Sequence, residues 1–208
     1  MSRGLFITIE GGEGGGKSTL REALAKALRA QGRLVVETRE PGGTPSAEAI
    51  RGLLVRGDAD RWSPLSEALL VNAARADHVA RVIRPALEEG AVVICDRFCD
   101  STMAYQGYAG GLGRAAMEAL DALTIPDTRP DLTLVLDLPV DVGLARAAAR
   151  RDGEGRFEGK GAAFHEALRA AFLDIAQREP HRCHVLDAQQ PAEVVCARAL
   201  DLILPRLP

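Results

Sequence analysis

Residues 10–19, EGGEGGGKST, set Gly11, Gly16, Lys17 and Ser18 in the pattern G-x-x-x-x-G-K-[ST]. The pattern follows the apolar run LFITI and opens a segment with apolar residues at helical spacing, the context a phosphate-binding loop requires. Such a loop points backbone N–H groups and the positive end of a helix at phosphate oxygens, the lysine adds a point charge, and the hydroxyl can ligate Mg²⁺. Gly11, Gly12, Glu13, Gly14, Gly15, Gly16, Lys17, Ser18 and Thr19 are therefore candidates to hold a nucleoside triphosphate. Glu13 puts a carboxylate inside this anion site, while Gly14 and Gly15 let the backbone turn without presenting side chains to the anion. A second anchor is Asp96, at the end of the buried strand VVICD, where ligands bind in open α/β sheets and where a second hold on Mg²⁺ is expected; Ser18 and Asp96 are the candidate metal residues.

The elements around these residues alternate. LFITI reads as a strand and KSTLREALAKALRAQG as a helix stopped by Gly32. RLVVET reads as a strand, REPGGTP as a loop, and Ser46 to about Arg56 as a helix. Ser63 and Pro64 form a helix start for an amphipathic segment running to about Glu89. AVVICD (91–96) and LTLVLDL (132–138) are near-continuous apolar runs, as in strands covered on both faces. Helices are predicted from about Val140 to Arg151, Ala162 to Gln177 and Pro191 to Leu204, with CHVLDA as a fifth strand. The fold class is α/β, a five-stranded parallel sheet with helices on both faces, and the 208 residues form one domain. The glycine-rich, charged stretch 151–161 has little to bury.

Composition narrows the partners. A net charge of −3, a pI near 5.9 and the lack of a long basic run argue against a nucleic-acid backbone as ligand. Cys95, Cys99, Cys183 and Cys196 form no CxxC pair, which points to the reducing cytoplasm; no signal segment or membrane span is read. HRCH (181–184) has metal-ligand residue types but no fourth ligand in sight, so no zinc site is assigned. His78 is read as a packing or hydrogen-bonding residue and Cys95 as a core thiol.

A GTPase would need an N-K-x-D element, which is missing, and the arginines fall in two groups besides the loop: Arg39 with Arg97, and those between 146 and 156. Two phosphate-bearing ligands explain that distribution better than one. EGGEGGGKST, TREPGGT, NAARADHV, DRFCDSTMAYQG, RPDLTLVLDLP and GLARAAARR…GRFE occur in the order and at the spacing of thymidylate kinases, and the resemblance runs from residue 5 to the last helix. The resemblance implies a P-loop kinase fold, phosphorylation of dTMP to dTDP by ATP with Mg²⁺, and a homodimer. It implies that Lys17 and Ser18 contact the ATP phosphates and Mg²⁺, and that Arg39 and Arg97 grip the acceptor's 5′-phosphate. Arg75 would read the thymine carbonyl edge, with Ser101, Thr102 and Gln106 nearby and Tyr105 crowding the 2′ position of the sugar. Glu13 would face the acceptor, accepting a hydrogen bond from the 3′-hydroxyl or ordering the magnesium shell. Arg150, Arg151 and Arg156 would lie in or beside a lid at about 150–161 and supply the transition-state cation, since Gly14 stands where another form of the family has an arginine.

The sequence departs from the family at Val71, where a phenylalanine usually stacks on thymine; losing a base stack weakens nucleotide binding by about 1–3 kcal/mol. Phe98 stands nearby, and whether it compensates is open. Also open are a one-residue slip in register, another pyrimidine monophosphate or a deoxynucleoside as acceptor, and a non-catalytic nucleotide-binding module.

Overall fold

The computed structural model describes residues 3–149, 156, 157 and 159–208. Among them five strands form one sheet: β1 (Phe6–Gly11), β2 (Val35–Arg39), β3 (Val92–Asp96), β4 (Leu132–Asp137) and β5 (Cys183–Asp187). The strands lie in the order β2-β3-β1-β4-β5 and every pair is parallel, as the βα alternation of the sequence predicts. The helices are α1 (Lys17–Ala30), α2 (Pro45–Leu54), α3 (Pro64–His78), α4 (Arg84–Glu88), α5 (Cys99–Thr102), α6 (Arg114–Thr124), α7 (Val140–Ala148), α8 (Ala162–Arg178) and α9 (Ala192–Ile203).

Local chemistry fixes the helix starts. Thr44 accepts from the Ala47 N–H at 3.1 Å ahead of Pro45, and Ser63 accepts from the Ser66 N–H at 3.2 Å ahead of Pro64. The predicted run to Glu89 is α3, a π-helical turn at Val79–Ile83, and α4. Pro85 lacks an N–H for the Arg81 carbonyl and its ring crowds that oxygen, so the widened turn sits where the regular ladder could not continue. Two elements lie outside the predicted set: α6, whose Ala116, Met117 and Leu120 do recur at helical spacing, and α5 with the π-helical turn Met103–Ala109 that continues it. Polar residues in CDSTMAYQG and four glycines between 107 and 113 hide the apolar periodicity there.

Strand β1 is buried on both faces. Leu5, Ile7 and Ile9 pack with Leu20, Leu24 and Leu28 of α1 and with Ala199 and Ile203 of α9. Phe6 points the other way, among Val79, Ile83, Val93, Cys95 and Phe98. Cys95 is fully buried, and burial pushes its thiol pKa up, consistent with an inert core residue. Polar groups around β1 and β4 are paired: Thr8 and Thr133 share a 2.8 Å hydrogen bond, and Arg182 donates to both Asp100 oxygens at 2.7 and 2.8 Å and to Thr133 at 2.7 Å. Arg182 of the HRCH run is thus part of a buried network beneath the sheet. Among the described residues no helix is long and apolar enough to cross a membrane.

The strand order creates the site. From β1 the chain goes to one side for β2 and β3 and to the other for β4 and β5, so the loop after β1 sits at a topological switch point on the carboxyl edge.

Candidate active site

The phosphate loop runs from the end of β1 to Lys17, the first residue of α1. Gly16 caps α1 at φ 85°, no side chain caps the helix and no acidic residue lies in its first turn, which leaves the leading amides available to an anion. Gly14 sits at φ 67°, and a Cβ there would lie 2.1 Å from the Gly143 carbonyl oxygen of α7. An arginine could not replace Gly14 without moving that helix. Lys17 Nζ donates to the carbonyls of Gly12 at 2.7 Å and Gly11 at 3.2 Å, and burial, then the Arg97 charge, lower its pKa to about 8. Ser18 Oγ donates to Asp96 Oδ2 at 2.8 Å, because β1 and β3 run in a register that sets Ile9 beside Asp96.

Glu13 turns toward neighbouring side chains. Its Oε1 accepts from Arg97 Nη2 at 3.0 Å and from the Tyr105 hydroxyl at 2.6 Å. Arg97 follows β3 at φ 69°, and its Nη1 also donates to the Gly11 carbonyl at 3.0 Å and to Ser101 Oγ at 3.1 Å. Burial opposes the Arg97 charge, but Tyr105, Glu13 and Asp96 outweigh it and raise its pKa above the ordinary arginine value. Beneath, Glu10 accepts from the Phe98 N–H at 2.7 Å and the Ser101 hydroxyl at 2.5 Å; burial and the Asp100 charge raise its pKa to about 8.

One cavity of about 300 Å³ joins these groups to a second cluster beyond Arg97. Arg39, at the end of β2, pairs with Glu48 at 3.1 Å and lines it. Arg75 is buried, with Nε donating to Glu40 at 2.7 Å and Nη2 to Thr102 at 2.8 Å; burial opposes its charge, but Glu40 and Asp121 hold its pKa high. Glu40 also meets His78 at 3.0 Å, and His78 meets Thr38 at 2.6 Å, so the TREPGGT loop is fastened to α3. A Cβ on Gly43 would lie 2.4 Å from His78 Nε2, which only glycine avoids. Val71, Ser101, Thr102 and Gln106 line the same cavity.

The sequence model of the thymidylate kinase family matches residues 9–199. The chain belongs to the thymidylate kinase family. It is 57% identical over 207 residues to the thymidylate kinase of Caulobacter vibrioides, covering 100% of this chain and 99% of that protein. It is also 57% identical over 204 residues to that of Pseudomonas fluorescens strain SBW25, covering 98% and 96%. A crystal structure of thymidylate kinase from Ehrlichia chaffeensis superposes with a TM-score of 0.78 at 35% identity, over 97% of this chain and 99% of that one.

Of the expected site residues, Glu13, Gly14, Gly15, Gly16, Lys17, Ser18, Arg39, Val71, Arg75, Asp96, Arg97, Ser101, Thr102, Tyr105 and Gln106 line this cavity. The Gly11 carbonyl accepts from Lys17 and Arg97 and the Gly12 carbonyl from Lys17, and Thr19 is exposed on α1 and is not among the lining residues. Arg150 and Arg151 lie outside the described residues. Arg156, expected in or beside the lid, is buried and donates to the carbonyls of Leu54, Asp58 and Ala59 at 3.0, 3.0 and 3.2 Å, on the corner between α2 and α3. Phe98 is wholly buried, edge-on to Phe6 and 5.0 Å beneath the Arg75 guanidinium, so its ring is no platform for a base. Sequence reasoning missed Glu10, Arg51 and Phe157. Arg51, on the helix after TREPGGT, lines the cavity and donates to the Pro41 carbonyl at 2.9 Å; its spacing from that motif was the available signal.

Proposed function

We infer that this chain transfers the γ-phosphoryl group of ATP to the 5′-phosphate of dTMP, giving ADP and dTDP. The single observation that carries this is the continuous cavity, with the phosphate loop at one end, Arg39 and Arg75 at the other, and the Glu13–Arg97 pair between them. The family membership gives the acceptor its name.

Lys17 and the loop amides hold the ATP phosphates, and Arg97 with Arg39 aligns the acceptor phosphate. A guanidinium fork suits a phosphate dianion, and holding two mutually repelling phosphates in line is most of what phosphoryl transfer asks of a protein. Ser18 and Asp96 present two hard oxygens side by side, a donor set that fits Mg²⁺; these residues would hold the ion, which would supply charge neutralisation to the transferred group. The acceptor phosphate is already an anion, so no general base is assigned. Gly14 leaves no room for a loop arginine, and we assign the transition-state cation to Arg150 or Arg151 of the lid. The working protein is a cytoplasmic homodimer.

The test is ADP release from Mg-ATP with dTMP, dUMP, UMP, dCMP, CMP, AMP and thymidine offered separately. Preference for dTMP is expected. Preference for another acceptor would move the chain to a different monophosphate kinase specificity, and acceptor-independent or absent turnover would return it to a binding module.

A further inference from the structure

Among the described residues three aromatic rings line the cavity, each with a cation near its ring: Arg75 at Phe98, Arg97 at Tyr105, and Arg156 and Lys160 at Phe157. Phe98 is sealed under Arg75, while Tyr105 gives its hydroxyl to Glu13 and carries the Arg97 guanidinium 5.1 Å from its ring centroid. Phe157 is the third. Its side chain is partly exposed, it meets the Tyr105 ring edge-on at 5.4 Å, and it lines the cavity, as do Leu54, Val55 and Val71.

Phe157 belongs to no helix or strand, so something else must hold it. Its neighbour Arg156 does this through a side chain with no exposed surface. The guanidinium lies 5.0 Å from the Phe157 ring and donates to three carbonyls at and just beyond the C-terminus of α2, where a cation is favoured by the helix dipole. Its Nη1 is also 2.6 Å from Glu67 Oε2 on α3, and Glu67 Oε1 accepts from Gln106 at 2.6 Å, next to Tyr105. A guanidinium spent on three carbonyls and a buried carboxylate has little left for a phosphate.

We propose that Arg156 is a positioning residue that fastens the chain to the end of α2 and to Glu67, and so holds Phe157 as the aromatic wall against which the acceptor's nucleobase packs. The proposal rests on reading this cavity as the acceptor site. Val71 offers the base no ring to stack on, and Phe157 supplies one from a different part of the chain.

The experiment measures dTMP affinity by calorimetry without ATP, together with kcat and the KM for each substrate. The variants are Phe157→Leu, Phe157→Tyr, Arg156→Ala with Glu67→Gln, the triple combination, and Arg39→Ala, each checked for folding by thermal melting. Phe157→Leu is expected to weaken dTMP binding by roughly tenfold or more while kcat and the KM for ATP change far less, and Phe157→Tyr to restore it. The Arg156→Ala/Glu67→Gln pair should lose a similar factor, and adding Phe157→Leu to it should cost little more, since both act through one ring. Unchanged dTMP affinity in Phe157→Leu overturns the proposal. So does an Arg156 variant that loses kcat by about a hundredfold with dTMP affinity intact, the mark of a transition-state cation. If Arg39→Ala weakens dTMP and Phe157→Leu does not, the acceptor site stands and only the aromatic wall falls. If neither weakens it, the acceptor reading fails as well.

Discussion

Arg97 is, among the described residues, the only non-glycine at positive φ, a conformation that costs a residue with a Cβ about 1–3 kcal/mol. The turn sends its side chain back across β1 to Gly11, Ser101 and Glu13, which a residue continuing β3 in extended form could not reach. Strain and function can therefore be separated. Arg97→Gly should be more stable than Arg97→Ala by about 1 kcal/mol in denaturant melts, because only glycine adopts this backbone without penalty. Both should lose turnover with dTMP by about a hundredfold or more with ATP affinity nearly intact; equal stability of the two, or retained turnover, contradicts the assignment. Tyr105 carries the sugar prediction. UMP should be used more poorly than dUMP, and dUMP more poorly than dTMP by about 1–3 kcal/mol for the missing methyl; equal use of UMP and dUMP in turnover assays would remove Tyr105 from that role. Residue types at motif spacing made Lys17, Ser18 and Asp96 legible, and the family resemblance added Arg39, Arg75, Arg97 and Tyr105. Phe157 and the true partners of Arg156 were illegible, because which carbonyls a guanidinium meets is decided by tertiary packing across about a hundred residues of chain.

Two elements hold the phosphate loop, and each gives a prediction that involves no ligand contact. Helix α7 approaches so closely that a Cβ on Gly143 would lie 2.6 Å from the Glu13 carbonyl oxygen. Gly143→Ala should cost about 1–3 kcal/mol by overpacking, seen as a lower melting temperature, and should raise the KM for ATP as the loop shifts; wild-type values for both would deny this close approach its role. Strand β1 is tied to the start of α5 by Glu10, whose carboxyl bonds Phe98 N–H and Ser101 and faces the charges of Asp100 and Arg97. Its pKa, about 8 when folded against the ordinary 4.5, means the folded state holds this proton more tightly than the unfolded chain. That stabilisation is complete below the unfolded value and is lost as pH rises through about 8. Glu10→Gln cannot lose the proton, so its urea midpoint should gain on the wild type as pH is raised across that window, and a constant difference would refute the shift. At this scale the sequence was legible wherever apolar runs sat between glycines: all five strands, α1, α2, the run from α3 through α4, and α7 to α9 lie within a few residues of their expected bounds. It was not legible from Cys99 to Ala109, where several residues that line the cavity are polar although buried and so break the periodicity that marks a helix.

Among the described residues the sheet puts the cavity on its carboxyl edge, and the helices beside it present an exposed apolar face. Helix α3 packs between α2 and α6, and its inward face carries Ala68, Val71, Asn72 and Arg75. Its outward face carries Leu65 and Leu69, about half exposed, with Leu53 on α2 and Leu123 on α6 also exposed. A two-fold axis through such a face buries the same leucines twice, which is how an isologous dimer gains apolar burial from one surface. A homodimer formed in this way would be linked to the chemistry, since the helix that would form the interface also positions Arg75 and Val71. Leu65→Glu with Leu69→Glu should shift the wild-type mass in light scattering from twice the chain to one chain without unfolding it. The monomer should show a raised KM for dTMP and a nearly unchanged KM for ATP, because the phosphate loop and α1 hang on the sheet while the acceptor end of the cavity leans on α3. A monomeric wild type would remove the interface, and a monomeric variant with normal dTMP kinetics would leave the dimer standing but uncouple it from the acceptor site.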